Sequence, residues 1–425
     1  MATIHEPQKA TPQISTFQRF IRPFSALEEP NYRWLWTGQL ATSIGRSMRS
    51  YLRLYLVYEL TGSAVWLGIV QGSLALPFLF FTFWGGVLAD RMDRRKVLVV
   101  TETMLFFLWA GVSILIVTGK INEWWLALAA VVSGTVQSFS QPARQALVPN
   151  VVSRQNLPNA IALESTAQSG GTLLGPSIGG VLAAISFIDI GGAFWVTAIL
   201  QGYAVLTLFF MNWRFEGEMP ARRQSAGRSF IEGLSYVRRD AIIFGLVMMG
   251  ASGSLFAGSY HSMLPIFAKD VFHVGRQELG FLVSTVGLGA ITGGLFAASL
   301  SHIRRRGLLL AIGGLGYATC LFIFSQTNTY LLALPILLVT GTLSLLYTTN
   351  NNTILQLIAP EEMRGRVVAT RAFVFGLAPF GQIPMTALAQ VTSAPFAVGV
   401  GAALFACALI FLLLRIPKIR SFSTT

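Results

Sequence analysis

An apolar run from Ala75 to Ala89 stops at six charged residues, Asp90, Arg91, Asp93, Arg94, Arg95 and Lys96, and a second apolar run starts at Val97. So short a charged break reads as a tight turn joining two membrane helices on the same side. The alternation recurs along the whole chain. A bilayer core accommodates about 20 apolar residues as one helix, and on that measure twelve spans fit: 33–60, 64–89, 96–118, 123–144, 157–187, 191–213, 240–268, 277–302, 307–325, 329–352, 366–391 and 394–414. Lipid offers no partner to backbone N–H and C=O groups, so spans of this length must be helical. The expected class is an all-α membrane protein with 12 transmembrane helices.

Composition supports that class and excludes others. The 425 residues are 53% hydrophobic and only 12% charged, where a soluble domain carries about 25% charge. A net charge of +13 would suit a nucleic-acid partner, but its distribution argues for membrane topology and no nucleic acid. Of 31 Lys and Arg, only Lys120, Lys269 and Arg276 fall in segments on one side, and Arg46, Arg49 and Arg53 lie inside the first span; the rest cluster on the other side. By the positive-inside rule both termini are cytoplasmic, in a multi-pass inner-membrane protein. Trp124 and Trp125 then fall at the outer interface, and Trp34, Trp36 and Trp213 at the inner one. Cys320 and Cys407 sit in apolar runs without a CxxC pattern, so neither metal nor redox chemistry nor any cofactor is expected. The first 30 residues lack the apolar core of a cleavable signal.

The chain repeats itself weakly. Gln145-Ala-Leu-Val-Pro149 recurs as Gln356-Leu-Ile-Ala-Pro360, and Gly85-Gly86 before a basic cluster recurs as Gly293-Gly294 before Arg304–Arg306. Both offsets are near half the chain length, which implies two parallel, pseudo-symmetric six-helix bundles. The organisation expected is a cytoplasmic tail over 1–30, a first bundle over 31–213, a cytoplasmic linker over 214–239, a second bundle over 240–414 and a tail over 415–425. Within the linker, Ser229–Arg239 places Phe230, Leu234 and Val237 on one face, as in a short helix lying on the inner surface.

These motifs carry a family resemblance. Gly86-Val-Leu-Ala-Asp90-Arg91-Met-Asp-Arg94-Arg95-Lys96 resembles the loop 2–3 motif of the major facilitator superfamily, with Asp93 where that family often has Gly. Pro142-Ala-Arg-Gln-Ala-Leu-Val-Pro149, Leu157-Pro-Asn-Ala-Ile-Ala-Leu163, Gly175-Pro-Ser-Ile-Gly-Gly180 and Pro360-Glu-Glu-Met-Arg-Gly-Arg-Val367 are similar to its drug and siderophore efflux branch. That branch includes macrolide exporters and the enterobactin exporter. The resemblance implies alternating access between two bundles and export driven by proton entry. Gly175, Pro176 and Gly179 resemble the superfamily's antiporter motif, although Ala162 replaces its first Gly.

Physical readings stand beside the resemblance. In the turn, Asp90 would cap or face a helix N-terminus, Gly86 would allow close helix approach, and Arg91, Arg94 and Arg95 would hold the loop inside. Arg144 at the inner end of span 4 either pairs with Asp90 as an inner gate or is one more positive-inside residue. Span 5 is expected to kink at Pro176 and to pack through its glycines on span 8, with Gly287, Gly289, Gly293 and Gly294.

Arg46, Arg49 and Arg53 share one face of span 1. A buried Arg costs about 2.5–3.5 kcal/mol on insertion scales, so each needs water or a partner. They form either a cationic stripe along a central cavity, suited to an anionic or catechol-like substrate, or ion pairs with Glu102 or Glu164, with Arg53 reaching the outer headgroups. Glu164 and Glu102 are the proton-coupling candidates, since a buried carboxyl exchanges protons when its surroundings change. Gln137 and Gln141, at i and i+4 on span 4, are cavity candidates, as are Tyr260, His261 and Asn350.

No nucleophile–base pair or phosphate-cradling loop is visible, so the chain is not expected to be an enzyme. The function expected is export of small organic molecules by a monomeric, proton-coupled secondary transporter. Import or facilitated passage of an organic anion, lipid flipping and a non-transporting sensor are the alternatives; a sensor would tolerate loss of the turn charges, which are kept here.

Overall fold

The computed structural model describes residues 22–212, 235–300, 303–360 and 376–422, and the elements formed by the described residues are helical. A short 3-10 segment, Arg22–Glu28, leads into α1 (Pro30–Thr61), α2 (Ala64–Arg91), α3 (Arg94–Val117), α4 (Glu123–Val151), α5 (Leu157–Ala184) and α6 (Asp189–Phe210). The second half begins with α7, a broken helix of four pieces: Ala241–Leu255, Ala257–Ser259, Tyr260–Ile266 and a π turn, Phe267–Val271. Then come α8 (Arg276–Ser299), α9 (Arg306–Ser325), α10 (Tyr330–Ile358), α11 (Ala378–Val391) and α12 (Ala394–Arg415).

Among the described residues, eight helices are long and apolar enough to cross a membrane by length and composition. Helices α1, α4 and α5 are not among them, because arginines and polar residues in α1, glutamines and serines in α4, and glycines, serines and Glu164 in α5 lower their hydropathy. Helix α11 is described over only 14 residues, and the expected span start at 366 lies outside the described residues. Two spans run longer than the hydropathy pattern implies: α4 passes Pro142 and Pro149 to reach Val151, and α10 reaches Ile358.

Local chemistry sets the helix ends. Gly62 adopts φ +60 and its N–H bonds to the Tyr58 carbonyl, so α1 ends in a left-handed cap and α2 starts after a two-residue turn. The Asn122, Ser393 and Asp240 side chains accept backbone N–H groups at the starts of α4, α12 and α7. Asp93 does the same for α3, accepting the Arg95 N–H at 2.9 Å. The N-terminus that needed an acidic cap is therefore served by Asp93, which gives a physical reason for Asp at that position. The side chains of Gly86, Asp90 and Arg91 lie outside the described ones.

Helix α1 packs on α5 and α6, α2 on α4, and α3 on α4 and α6. Later in the chain, α8 and α9 pack on α10, and α9 packs on α12. The most extensive contacts between early and late helices are α5 on α8 and α2 on α11. On α5, two adjacent i, i+4 rows divide the work. Gly171, Gly175 and Gly179 face α1: a Cβ at Gly175 would stand 2.7 Å from the Ile44 carbonyl oxygen and 2.8 Å from the Met48 nitrogen. Pro176 and Gly180 face α8, where a Cβ at Gly280 would lie 2.6 Å from the Pro176 carbonyl oxygen.

The expected packing of α5 on α8 is present, but the glycines of both helices are divided between two neighbours. Most of the α5 glycines receive α1. On α8, Gly280 and Gly287 meet α5, while Gly289 and Gly293 receive α10 at Leu338, Gly341 and Thr342. Small residues admit backbones wherever they lie on the surface, and span order alone does not say which neighbour arrives. Of the expected amphipathic linker helix only Ser235–Arg239 is described; it is helical and buries Val237, whereas Phe230 and Leu234 lie outside the described residues.

Candidate functional site

Helices α1, α3, α4 and α6 enclose a small polar cavity of about 20 Å³. Helix α1 contributes Thr42, Arg46 and Arg49, which its three- and four-residue spacing puts on one face. Helix α4 contributes Gln137, Gln141 and Arg144, again on one face. Glu102 enters from α3 and Gln201 from α6.

A continuous chain of polar contacts crosses the four helices. Arg144 Nη2 donates to Glu102 Oε1 at 2.7 Å, an ion pair whose side chains are 7% and 5% exposed. Gln201 Nε2 donates to the other carboxylate oxygen, Oε2. The Gln201 amide oxygen in turn accepts Arg49 Nη2 at 3.1 Å, and Arg49 Nη1 donates to the Thr197 carbonyl at 3.3 Å. The Arg49 guanidinium also lies 5.1 Å from the centroid of the buried Trp109 ring, close enough for a cation–π contact. Gln137 is engaged with its own helix through Ser133 Oγ at 2.8 Å.

Counting charge gives the cavity its character. It holds three guanidiniums and one carboxylate, and the carboxylate is already bound by Arg144. Among the described residues Arg46 makes no hydrogen bond and no ion pair. A buried cation in excess is costly unless an anion or water meets it, and the cavity carries that excess of positive charge.

The two open alternatives for the span 1 arginines are thereby divided between residues. Glu102 does bind an arginine, but Arg144 takes it. Arg49 is tied to neutral acceptors. Arg53, only 2% exposed, donates to Gln71 Oε1 on α2 at 2.9 Å instead of reaching headgroups. Arg144 is spoken for by Glu102, while the Asp90 side chain lies outside the described ones. Glu164 on α5 stands apart from the cavity lining. Its Oε1 is buried without a hydrogen-bond partner, near enough to Arg144 to feel its charge.

Arg94 and Arg95, the turn residues of α3, hold neighbouring helix ends. Arg94 donates to the Ala146 carbonyl on α4 at 2.8 Å, and Arg95 to the Leu208 carbonyl on α6 at 2.9 Å.

A second cavity, of about 160 Å³, lies in the later half of the chain. His261 opens onto it from the break in α7, but Tyr260 does not line it; that ring is buried and lies 4.1 Å from the imidazole centroid. Asn350 is likewise buried and donates to the Leu346 carbonyl of its own helix. Its neighbour Asn351 faces the cavity in its place, together with Tyr317 and Tyr347. A one-residue step on a helix turns a side chain by about 100°, and the Asn350-Asn351-Asn352 run left that choice open.

At the end of α1 farthest from the α2–α3 turn, a cluster not foreseen from the sequence ties the halves together. Arg276 at the start of α8 donates to Tyr55 and Glu59 of α1, to Asp189 of α6 and to the Ala183 carbonyl. Tyr51 donates back to the Arg276 carbonyl, and Tyr58 donates to Asp270. The available signal was the α1 row Tyr51, Tyr55, Tyr58 and Glu59, spaced three and four apart.

Comparison with known proteins is consistent with this architecture. Enterobactin exporter EntS of Shigella boydii serotype 18 is 26% identical over 313 residues, 73% of this chain and 70% of that protein. The same exporter from Escherichia coli O139:H28 also matches over 313 residues at 26% identity, covering 73% of this chain and 70% of that protein. Among solved structures, a bacterial homologue of the human lysosomal transporter Spinster, inward-facing and occupied, superposes with a TM-score of 0.67 at 14% identity, covering 92% of this chain and 96% of that one. A D-xylose–proton symporter gives 0.70 at 16% identity, covering 94% and 100%. The solved structures share this fold. The sequence profile of the transmembrane secretion effector family matches residues 21–425, and the chain belongs to that family.

Proposed function

We propose that this protein is a secondary active transporter that exports small organic molecules carrying an anionic group. The observation that carries the proposal is the cation excess of the α1–α3–α4–α6 cavity, with Arg46 unpaired beside a carboxylate that Arg144 already neutralises. The export direction is supported by the family and by relatives that are themselves exporters.

In this reading twelve transmembrane helices form two six-helix bundles, α1–α6 and α7–α12, that rock about the α5–α8 and α2–α11 seams. Both termini are cytoplasmic and the basic turn ends face the cytoplasm. The Arg276 cluster closes the outer end, so the described arrangement opens inward. Protons entering from outside drive export; Glu164, with a buried and unsatisfied carboxylate oxygen, is the carrier, and Glu102 holds Arg144. The protein works as a monomer in the inner membrane, with its substrate, protons and lipid as partners and no nucleic acid.

The test is proton movement in inside-out vesicles, followed with a dye that reports lumenal acidity. Aromatic sulfonates and carboxylates should release protons from the acidified lumen in wild type, and Glu164→Gln should abolish the release. Arg46→Ala should raise the anion concentration needed by about tenfold, the effect of about 1.4 kcal/mol. Anion uptake without proton movement would replace antiport with facilitated passage. Response to cationic compounds alone would refute the anion site.

A further inference from the structure

The second cavity differs from the first in every property that selects a ligand. Among the described residues no Asp, Glu, Lys or Arg lines it. Its polar groups are neutral: the His261 imidazole, the Asn351 amide and the hydroxyls of Ser254, Ser344 and Thr348. Its aromatic wall is rigid, because the Tyr317 and Tyr347 rings both pack edge-on against Phe405, at 5.6 and 5.5 Å between centroids.

Size decides between a whole ligand and a fragment. Pockets for drug-sized molecules run to about 300–1,000 Å³, whereas a cavity of about 150 Å³ holds one benzene ring. At about 160 Å³ this cavity has room for a single six-membered ring with small substituents.

Polarity says what the ring must carry. The Asn351 amide nitrogen donates to the Leu246 carbonyl at 3.0 Å, which fixes the amide and leaves its buried Oδ1 without a donor. That oxygen lies toward Gly250 on the cavity wall: among the described residues beyond its own helix backbone, a Cβ built there would have only Oδ1, at 3.9 Å, within 4 Å. A buried acceptor left unpaired is costly, so a ligand that donates to it binds more tightly than one that cannot. Glycines keep the space open. A Cβ at Gly258 would meet only the Gly253 carbonyl oxygen, at 3.6 Å.

We infer that this cavity is a second recognition site, which takes a neutral, hydroxyl-bearing aromatic ring whose O–H donates to Asn351 Oδ1. The inference deepens the proposed transport function and rests on it for its meaning: the substrate would present an anionic group to Arg46 and a phenolic ring to the opposite half. Two half-sites on separate bundles would also explain how one molecule engages both.

The test is binding to the full-length protein in lipid nanodiscs, by ligand-observed NMR titration with two separate probes. Catechol stands for the neutral hydroxylated ring and benzenesulfonate for the anion. Catechol affinity should fall about tenfold or more in Gly250→Leu and in Gly258→Leu, each of which fills the cavity, and change by less than about twofold in Arg46→Ala. Benzenesulfonate should show the reverse pattern. Monodisperse elution confirms that each variant is folded, and two fillers at different positions guard against loss of either one. The inference is overturned by catechol binding that both fillers leave unchanged, or by no saturable catechol binding to wild type. Benzenesulfonate insensitive to Arg46→Ala would instead count against the anion site and leave the ring site standing.

Discussion

Breaking the Arg144–Glu102 pair from one side should unfold the early half of the chain more readily than removing both partners. The two side chains are 7% and 5% exposed and meet at 2.7 Å. Arg144→Met would leave Glu102 with Gln201 as its remaining hydrogen-bond donor. Removal of one partner of a buried pair costs about 3–5 kcal/mol, because the survivor is a desolvated charge without its counter-ion, while replacing both by apolar groups of similar volume is often neutral. The single variant should therefore lose about two to nearly four powers of ten in folding equilibrium constant. The double variant Arg144→Met/Glu102→Leu should recover most of that loss, limited by the hydrogen bond then missing at Gln201. Reversible unfolding in mixed micelles of increasing denaturing-detergent fraction would measure all three proteins in one double-mutant cycle. A single-variant loss below about 1 kcal/mol, or no recovery in the double variant, would refute the account of a mutually dependent buried pair.

Three further outcomes follow from named contacts. Gly175→Leu should abolish recovery of monodisperse protein, because its Cβ would meet the Ile44 and Met48 backbone, whereas Gly170→Ala, with nothing within 4 Å, should elute as wild type. Arg276→Ala should loosen the far end of α1; an impermeant maleimide added outside whole cells should label Ser284→Cys, beside Ser177 at the α5–α8 seam, several-fold faster in that background, with Cys320 and Cys407 replaced first. At the opposite end, burial raises the Glu29 carboxyl, but hydrogen bonds from Asn156 and Ser153 outweigh it and hold the group below its ordinary 4.5. A depressed folded value means that docking of Glu29 on the α4–α5 connection is present above about 4.5 and lost as pH falls through the lowered value. Hydrogen exchange at the Ser153 amide should accelerate over that window in wild type and be fast at all pH in Glu29→Gln.

Much of the helical framework was legible because it depends on local sums. Apolar run length against bilayer thickness placed most described helices within a few residues of where they lie, and the exceptions have local causes. The break in α7 falls at Gly258 and neighbouring small residues, which hydropathy scores as apolar. The extensions of α4 and α10 cross prolines or amides that it scores as ends. The roster of unusual residues was legible for the same reason: an arginine or carboxylate inside an apolar run stands out at any position. Arg46, Arg49, Gln137, Gln141, Arg144 and Glu102 were all named from sequence, and the fold gathers them around one cavity.

Pairing was decided only in three dimensions. Whether Glu102 neutralises Arg46, Arg49 or Arg144 depends on how the helices pack: the extensive contacts of α3 are with α4 and α6, and Glu102 is held by Arg144 of α4 and Gln201 of α6. Gln201 links the network but is an unremarkable residue in an apolar span, so no one-dimensional signal marked it. The glycines of α5 announced a close approach but not the identity of the approaching helix. The Arg276 cluster joins α8 to residues of α1, α5 and α6, and Tyr58 with Asp270 adds α7. Residue type and spacing along one helix are set by covalent order; the partner across a helix–helix contact is set by how the helices pack, and charge balance in a buried site belongs to that second level.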